Sequence, residues 1–181
     1  MTMRGLNHTI IEQLSNMLQL PVEVDTSGWL REWAELRFVL GEDRTIQPTS
    51  LRITDDEANE HRLRDVNIAA RCERYNLAIV ELRKLRDRYA ALAQRGYLII
   101  ASGSSLWLTG RSLLNLDLDV ERHQLNVMSN NAVGISVLDR ECEFLESYYR
   151  RLSAIVEQAE ALEEEVICEA DTVNKALDAE S

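Results

Sequence analysis

The sequence predicts a mainly α protein: a long antiparallel coiled-coil hairpin with two β-hairpins inserted at its closed end, plus a short helical N-terminal region. Three observations predict it. No Gly or Pro interrupts the chain from Thr54 to Arg95. From Leu138 to Leu177 mostly apolar residues recur at spacings alternating four and three, the repeat of a coiled-coil seam. Between these stretches, Arg95 to Ser136 is punctuated by Gly, Ser and Asn and carries short apolar runs. The domain division that follows is an N-terminal region over 1–50 and a coiled coil over 54–178, with 97–135 as the β-hairpin segment.

Composition narrows the function. The formal net charge of −11 disfavours broad binding to nucleic-acid phosphates. The N-terminus lacks the apolar run of a signal peptide, and no stretch approaches membrane-spanning length. Cys72, Cys142 and Cys168 are scattered in helical patterns without a CxxC or a zinc-like spacing, so they read as small hydrophobes in a reducing compartment. The expectation is a soluble cytoplasmic protein.

In the N-terminal region, Ile10, Ile11, Leu14, Met17 and Leu18 share one helical face, and Pro21 stops that helix. Asp25, Thr26 and Ser27 offer caps for a second helix. In it Trp29, Trp33, Leu36 and Leu40 recur at helical spacing and Gly41 stands just past the end. Trp29 and Trp33 are candidate docking residues, with packing on a neighbouring helix or subunit as the plainer reading. Gly41 to Ser50 reads as a polar connector.

Thr54-Asp55-Asp56-Glu57 is a capping box. It opens a helix predicted to run to Arg95, with Gly96 in the C′ position, about 60 Å long at 1.5 Å per residue. Its stripe is Ile68, Cys72, Tyr75, Ile79, Leu82, Tyr89 and Ala93, broken by Arg86. The last helix opens near Ser136, with Asp139 in the acidic position of a second capping box.

An antiparallel register with Arg95 level with Ser136 sets Leu138, Cys142, Tyr149, Leu152, Val156 and Ala159 against Ala93, Tyr89, Leu82, Ile79, Tyr75 and Cys72. It also sets Arg88 against Glu143, Glu81 against Arg150 and Arg74 against Glu157. Its misfits are Arg86 against Leu145, Asp65 against Val166 and Ile68 against Glu163. Within the insert, Leu114, Leu116, Leu118 and Val120 alternate with Asn115, Asp117, Asp119 and Glu121, a period-two strand signature. Gln124 to Met128 is the pairing strand. Two hairpins at a helix tip leave open edges, which implies oligomerisation through Leu98, Ile100, Leu106, Leu108, Leu114, Leu116, Leu118, Leu125 and Val127.

With these residues placed, the chain resembles the α-type prefoldin subunits (type 3 or type 5), a divergent form with an N-terminal extension. The resemblance rests on the order of long helix, two hairpins, long helix. It rests also on Leu98-Ile99-Ile100-Ala101, on Ser104-Ser105-Leu106-Trp107-Leu108-Thr109-Gly110-Arg111, on Gln124-Leu125-Asn126-Val127, and on Phe144-Leu145, Tyr148-Tyr149 and Arg150-Arg151-Leu152. Thr109 stands where the family has Pro, and Met128 and Asn130 stand where glycines are expected.

The resemblance implies a hetero-hexamer of two α-type and four β-type subunits built on a β-barrel platform. It implies an ATP-independent co-chaperone that holds unfolded actin, tubulin or similar chains for a cytosolic group II chaperonin. The expected client-binding residues are Leu63 and Val66 on one helix and Val166, Ile167, Val173 and Leu177 on the other. The alternative is a coiled-coil adaptor of another complex, docking through Trp29 and Trp33.

Enzyme chemistry has no motif here: GxxxxGK, GxGxxG and HExxH are absent. His8, His61 and His123 fall in separate elements. Glu163-Glu164-Glu165 reads as a solvated helix face rather than a cation site. No catalytic, cofactor or metal residue is expected, and no nucleic-acid or membrane partner.

Overall fold

The computed structural model describes residues 5–95, 115–129 and 133–181. Helix α1 spans His8–Leu18. Strands β1 (Val22–Asp25), β2 (Ala34–Leu40) and β3 (Ile46–Thr54) follow. Then come α2 (Ala58–Asp65), α3 (Ile68–Arg95), α4 (Leu116–Ser129), β4 (Val133–Gly134) and α5 (Ile135–Glu180). These residues divide into two compact units: Met1–Leu77 with Glu121–Phe144, and Ala78–Val120 with Leu145–Ser181.

The first unit is built on a mixed sheet of order β1-β3-β2-β4. β1 runs parallel to β3, while β2 is antiparallel to both β3 and β4. Helix α1 forms where the sequence predicts it. The Asn7 side chain caps its start, accepting from the Ile10 N–H, and Gln19 ends it in the left-handed conformation. Leu14, Leu36, Ile46, Leu51, Ile53 and Leu63 make the core, each at most 1% exposed. Such burial is worth about 1.5–3 kcal/mol per side chain.

The β2–β3 connection is a tight turn. Arg44 sits at φ 61°, and the Asp43 carboxylate accepts from the Thr45 amide and hydroxyl at 3.1 and 2.7 Å. A bulge lies opposite Arg37 and Phe38, which pair with Ser50 and Pro48 and leave Thr49 unpaired in the ladder. Its hydroxyl donates to the Arg37 carbonyl. The ring nitrogen of Pro48 has no hydrogen to donate, and a bulge is where a sheet tolerates that.

Residues 22–54 therefore correct the helical N-terminal reading. Trp29, Trp33, Leu36 and Leu40 do not form a helical stripe. In β2, Ala34 and Leu36 point inward together, and β3 supplies the pairing partner that outweighs helical spacing. The capping box at Thr54 also fails. Thr54 ends β3, and its hydroxyl and carbonyl instead accept from the buried Asn59 amide. The long first helix is interrupted at Val66, which is extended. Asn67 then caps α3, accepting from the Ala70 N–H at 3.0 Å. At the second predicted box, Ser136 bonds Glu32 and Asp139 pairs with Arg71.

The larger correction concerns helix direction. In the first unit Arg71 pairs with Asp139, and Tyr75 lies within the field of Glu141 and Cys142. In the second unit Arg88 pairs with Glu160 at 2.7 Å and Arg95 with Glu163 at 2.9 Å. Rising numbers in α3 meet rising numbers in α5, so the two helices run parallel and are not the arms of an antiparallel hairpin. The return is made by α4. Within the first unit His123 meets Tyr75, and within the second Asp117 meets Arg83 and Arg86.

Residues 116–129 are thus helical, not strands. Leu116, Val120, Gln124 and Val127 are buried, while Leu118 and Leu125 are each 60% exposed. That is an i, i+4 face. Of the predicted assembly residues, Leu98, Ile100, Leu106, Leu108 and Leu114 lie outside the described residues.

Candidate functional site

The site with the clearest construction is a cleft of about 370 Å³ in the first unit, lined by Trp29, Glu32, Ala34, Glu35, Gly134 and Val137 among others. The β1–β2 loop builds one wall. Its base is Asp25, 6% exposed. One Asp25 oxygen accepts from the Ser27 hydroxyl at 2.5 Å and from the Ser27 amide at 3.2 Å. The other accepts from the Leu30 amide at 3.1 Å. Arg52 adds an ion pair at 2.9 Å.

The Ser27 hydroxyl, followed by the backbone bonds and then Arg52, holds the Asp25 carboxyl below its usual value against the opposing effect of burial. Gly28 turns the chain at φ 72°, a conformation that favours glycine. The Trp29 amide leans on the Ser27 oxygen, and its side chain stands 86% exposed.

The far wall is the start of α5 and its approach. The Glu32 carboxylate accepts from the Ser136 hydroxyl at 2.9 and 3.0 Å. It also presses on Gly134, where a Cβ would collide with it. Gly134 pairs with Glu35 in the β2–β4 ladder. Glu35 is 9% exposed, and the Arg37 guanidinium lies 3.9 Å from its carboxylate. Cleft chemistry therefore combines one large exposed indole, an exposed Arg31 and two carboxylates near the floor.

Trp33 plays a different part. It is half-buried, with the Arg62 guanidinium 5.6 Å from its ring centroid, and its carbonyl accepts from the Thr54 amide. It ties α2 to the sheet, and of the predicted pair Trp29 is the more exposed.

A second polar cluster joins α3, α4 and α5 inside the first unit. The Tyr75 hydroxyl meets His123 Nδ1 at 2.5 Å, and His123 Nε2 meets the Glu141 carboxylate at 2.5 Å. The Tyr75 and His123 rings stack at 5.7 Å. Burial, helped by Glu141 and Cys142, pushes the Tyr75 hydroxyl far up, and burial pushes the Cys72 thiol up to about 11. Both stay protonated at neutral pH. Nearby, the Asn76 side chain bonds both backbone groups of Ile46, and Gln124 donates to the Arg44 carbonyl. These amides fasten the β2–β3 hairpin to the helices.

The predicted client-binding residues separate. Leu63 is fully buried and Val66 half-buried in the first unit. Val166 is half-buried in the second, where Ile167, Val173 and Leu177 are 40%, 58% and 59% exposed. Sequence reasoning missed Asp25, Ser27 and Gly28, whose Asp-Thr-Ser-Gly run signals a turn as well as a helix cap. Among the described residues no group of three His, Cys, Asp or Glu could hold a metal ion, and no helix is long and apolar enough to cross a membrane. No protein-family model, curated protein or solved structure matches the chain.

Proposed function

We propose that this chain is an adaptor that docks a partner protein through the Trp29 loop and its cleft. The carrying observation is Trp29 itself: a large side chain 86% exposed on a loop whose conformation Asp25 fixes in advance. A loop backbone held in place loses little freedom on binding, and tryptophans are prominent among the residues that dominate interface energetics. A compartment that keeps thiols reduced, as the cytoplasm does, suits three cysteines that form no disulfide.

The test places a photo-crosslinking amino acid at exposed Arg31 in the native cell. The expected result is a defined crosslinked partner that disappears when Trp29 is also changed to Ala, with the unfolding midpoint unchanged. The same crosslink surviving Trp29→Ala would overturn the reading.

Holding of unfolded chains, as prefoldin does, is a second reading, supported by the exposure of Ile167, Val173 and Leu177. Suppression of aggregation of a chemically denatured client, lost in a Val173→Asp/Leu177→Asp variant, is its expected signature. A hexamer on a β-barrel platform is not part of this reading, because residues 116–129 are helical.

A further inference from the structure

We infer that the last turns of α5 are the seat of a basic amphipathic helix from another protein. The inference does not rest on the Trp29 cleft. It starts from the heptad. Leu152, Val156 and Ala159 occupy successive seam positions and are buried, the last two completely. Glu163, paired with Arg95, takes the next seam position, and beyond it the same 4/3 spacing continues through Val166, Ala170, Val173 and Leu177. There the protection stops: every residue from Ile167 onward is exposed. A packed interface thus runs on as an apolar stripe of the same periodicity, still helical to Glu180. Side chains at those positions fit a partnering helix by knobs-into-holes packing.

Charge selects the occupant. From Leu162 to Ser181 there are seven carboxylates and one lysine, Lys175. Among the described residues one of those carboxylates, Glu163, is held by Arg95. Glu164 and Asp171 follow seam positions directly, and Glu169 precedes one. A second copy of this segment, in either direction, would set these acids against their equivalents, and like charges across a seam cost stability. Phosphate-rich surfaces are repelled for the same reason. A helix with apolar core positions flanked by Lys or Arg satisfies both features at once, covering the stripe and neutralising its acidic borders.

The probe is a synthetic peptide of about three heptads with Leu at the core positions and Lys at the flanks, titrated into the full chain with anisotropy detection. Saturable binding is expected, falling at least tenfold between about 0.1 and 0.5 M salt as screening shortens the reach of the charges. Val173→Asp/Leu177→Asp keeps every acid and should lose binding at least tenfold. Glu164→Gln/Glu165→Gln/Glu169→Gln/Asp171→Asn keeps the stripe and should lose as much. These sites are exposed, so an unchanged circular dichroism spectrum is expected for both variants.

Three results would overturn the inference. A peptide with Gln in place of Lys could bind as tightly, leaving an apolar trap for unfolded chains. Binding could survive Val173→Asp/Leu177→Asp. Or the unmodified chain could sediment as a dimer that this variant dissociates, placing a second copy on the stripe.

Discussion

Tyr75→Phe isolates the polar chain that joins three helices. Tyr75 is 0% exposed, and its hydroxyl sits 2.5 Å from His123 Nδ1. Phenylalanine keeps the ring, so no cavity opens and the packing contribution is preserved. What goes is one hydrogen bond, worth about 0.5–1.5 kcal/mol net, plus part of the cost of leaving His123 Nδ1 facing a ring edge. The His123 side chain is 21% exposed, so water recovers some of that cost. The expected loss is about 1–2 kcal/mol. Tyr75→Ala removes the ring as well and should cost about 3–5 kcal/mol. Urea unfolding followed by circular dichroism measures both. Tyr75→Phe within about 0.3 kcal/mol of the unaltered chain, with Tyr75→Ala still damaging, would show that the hydroxyl contributes nothing and that the chain is packing alone.

The remaining predictions concern the loop, the thiols and a helix cap. Asp25 has a depressed pKa in the folded state, so its stabilising effect is present above the unfolded value and lost as the pH falls through the folded one. Below the ordinary carboxylate range the Leu30 amide should lose its protection and exchange hydrogen at a rate approaching its intrinsic one. Asp25→Asn should produce the same loss of protection at neutral pH, and an unchanged Leu30 amide would refute the anchoring role. Iodoacetamide at pH 8 should label exposed Cys168 within minutes. Cys72 and Cys142, both buried, should react only on unfolding. Asn67→Ala should destabilise the chain by about 1 kcal/mol by removing the α3 cap, measured by the same urea titration.

Much of the helical content was legible. Helix α1, the body of α3 and the start of α5 lie where periodicity and Pro21 place them. The direction of the long helices was not legible, for a physical reason. A stripe spaced alternately by three and four reads the same from either end. Two such stripes therefore coincide in a parallel or an antiparallel register. Arginines and acids are frequent enough on both helices to pair either way, as Arg88 does with Glu160 in place of Glu143.

Helix α4 misled through Leu114, Leu116, Leu118 and Val120. Their alternation is a strand pattern, yet Leu116 and Val120 are also one helical turn apart and both face inward. Asp117 and Asp119 in the first turn are the signal that favours helix. The sheet was hidden for the opposite reason. Trp33, Leu36 and Leu40 have helical spacing, and the pairing of β2 with β3 and β4 is a long-range fact that no local window contains. In the cleft, Trp29 stood out in the sequence as a large apolar side chain, whereas the role of Asp25 depends on Leu30 and Arg52 folding back onto it.

Parallel α3 and α5 decide where the packed seam ends and hence which residues are left for a partner. In a background without native cysteines, Arg88→Cys/Glu160→Cys should be bridged rapidly by a short bis-maleimide, because these side chains form an ion pair at 2.7 Å. Arg88→Cys/Glu143→Cys, partners in the antiparallel register, should stay unbridged, because Glu143 lies about 25 Å from Glu160 along α5 at 1.5 Å per residue. Efficient bridging of Arg88→Cys/Glu143→Cys with none between Arg88→Cys and Glu160→Cys would contradict the parallel arrangement and restore the hairpin.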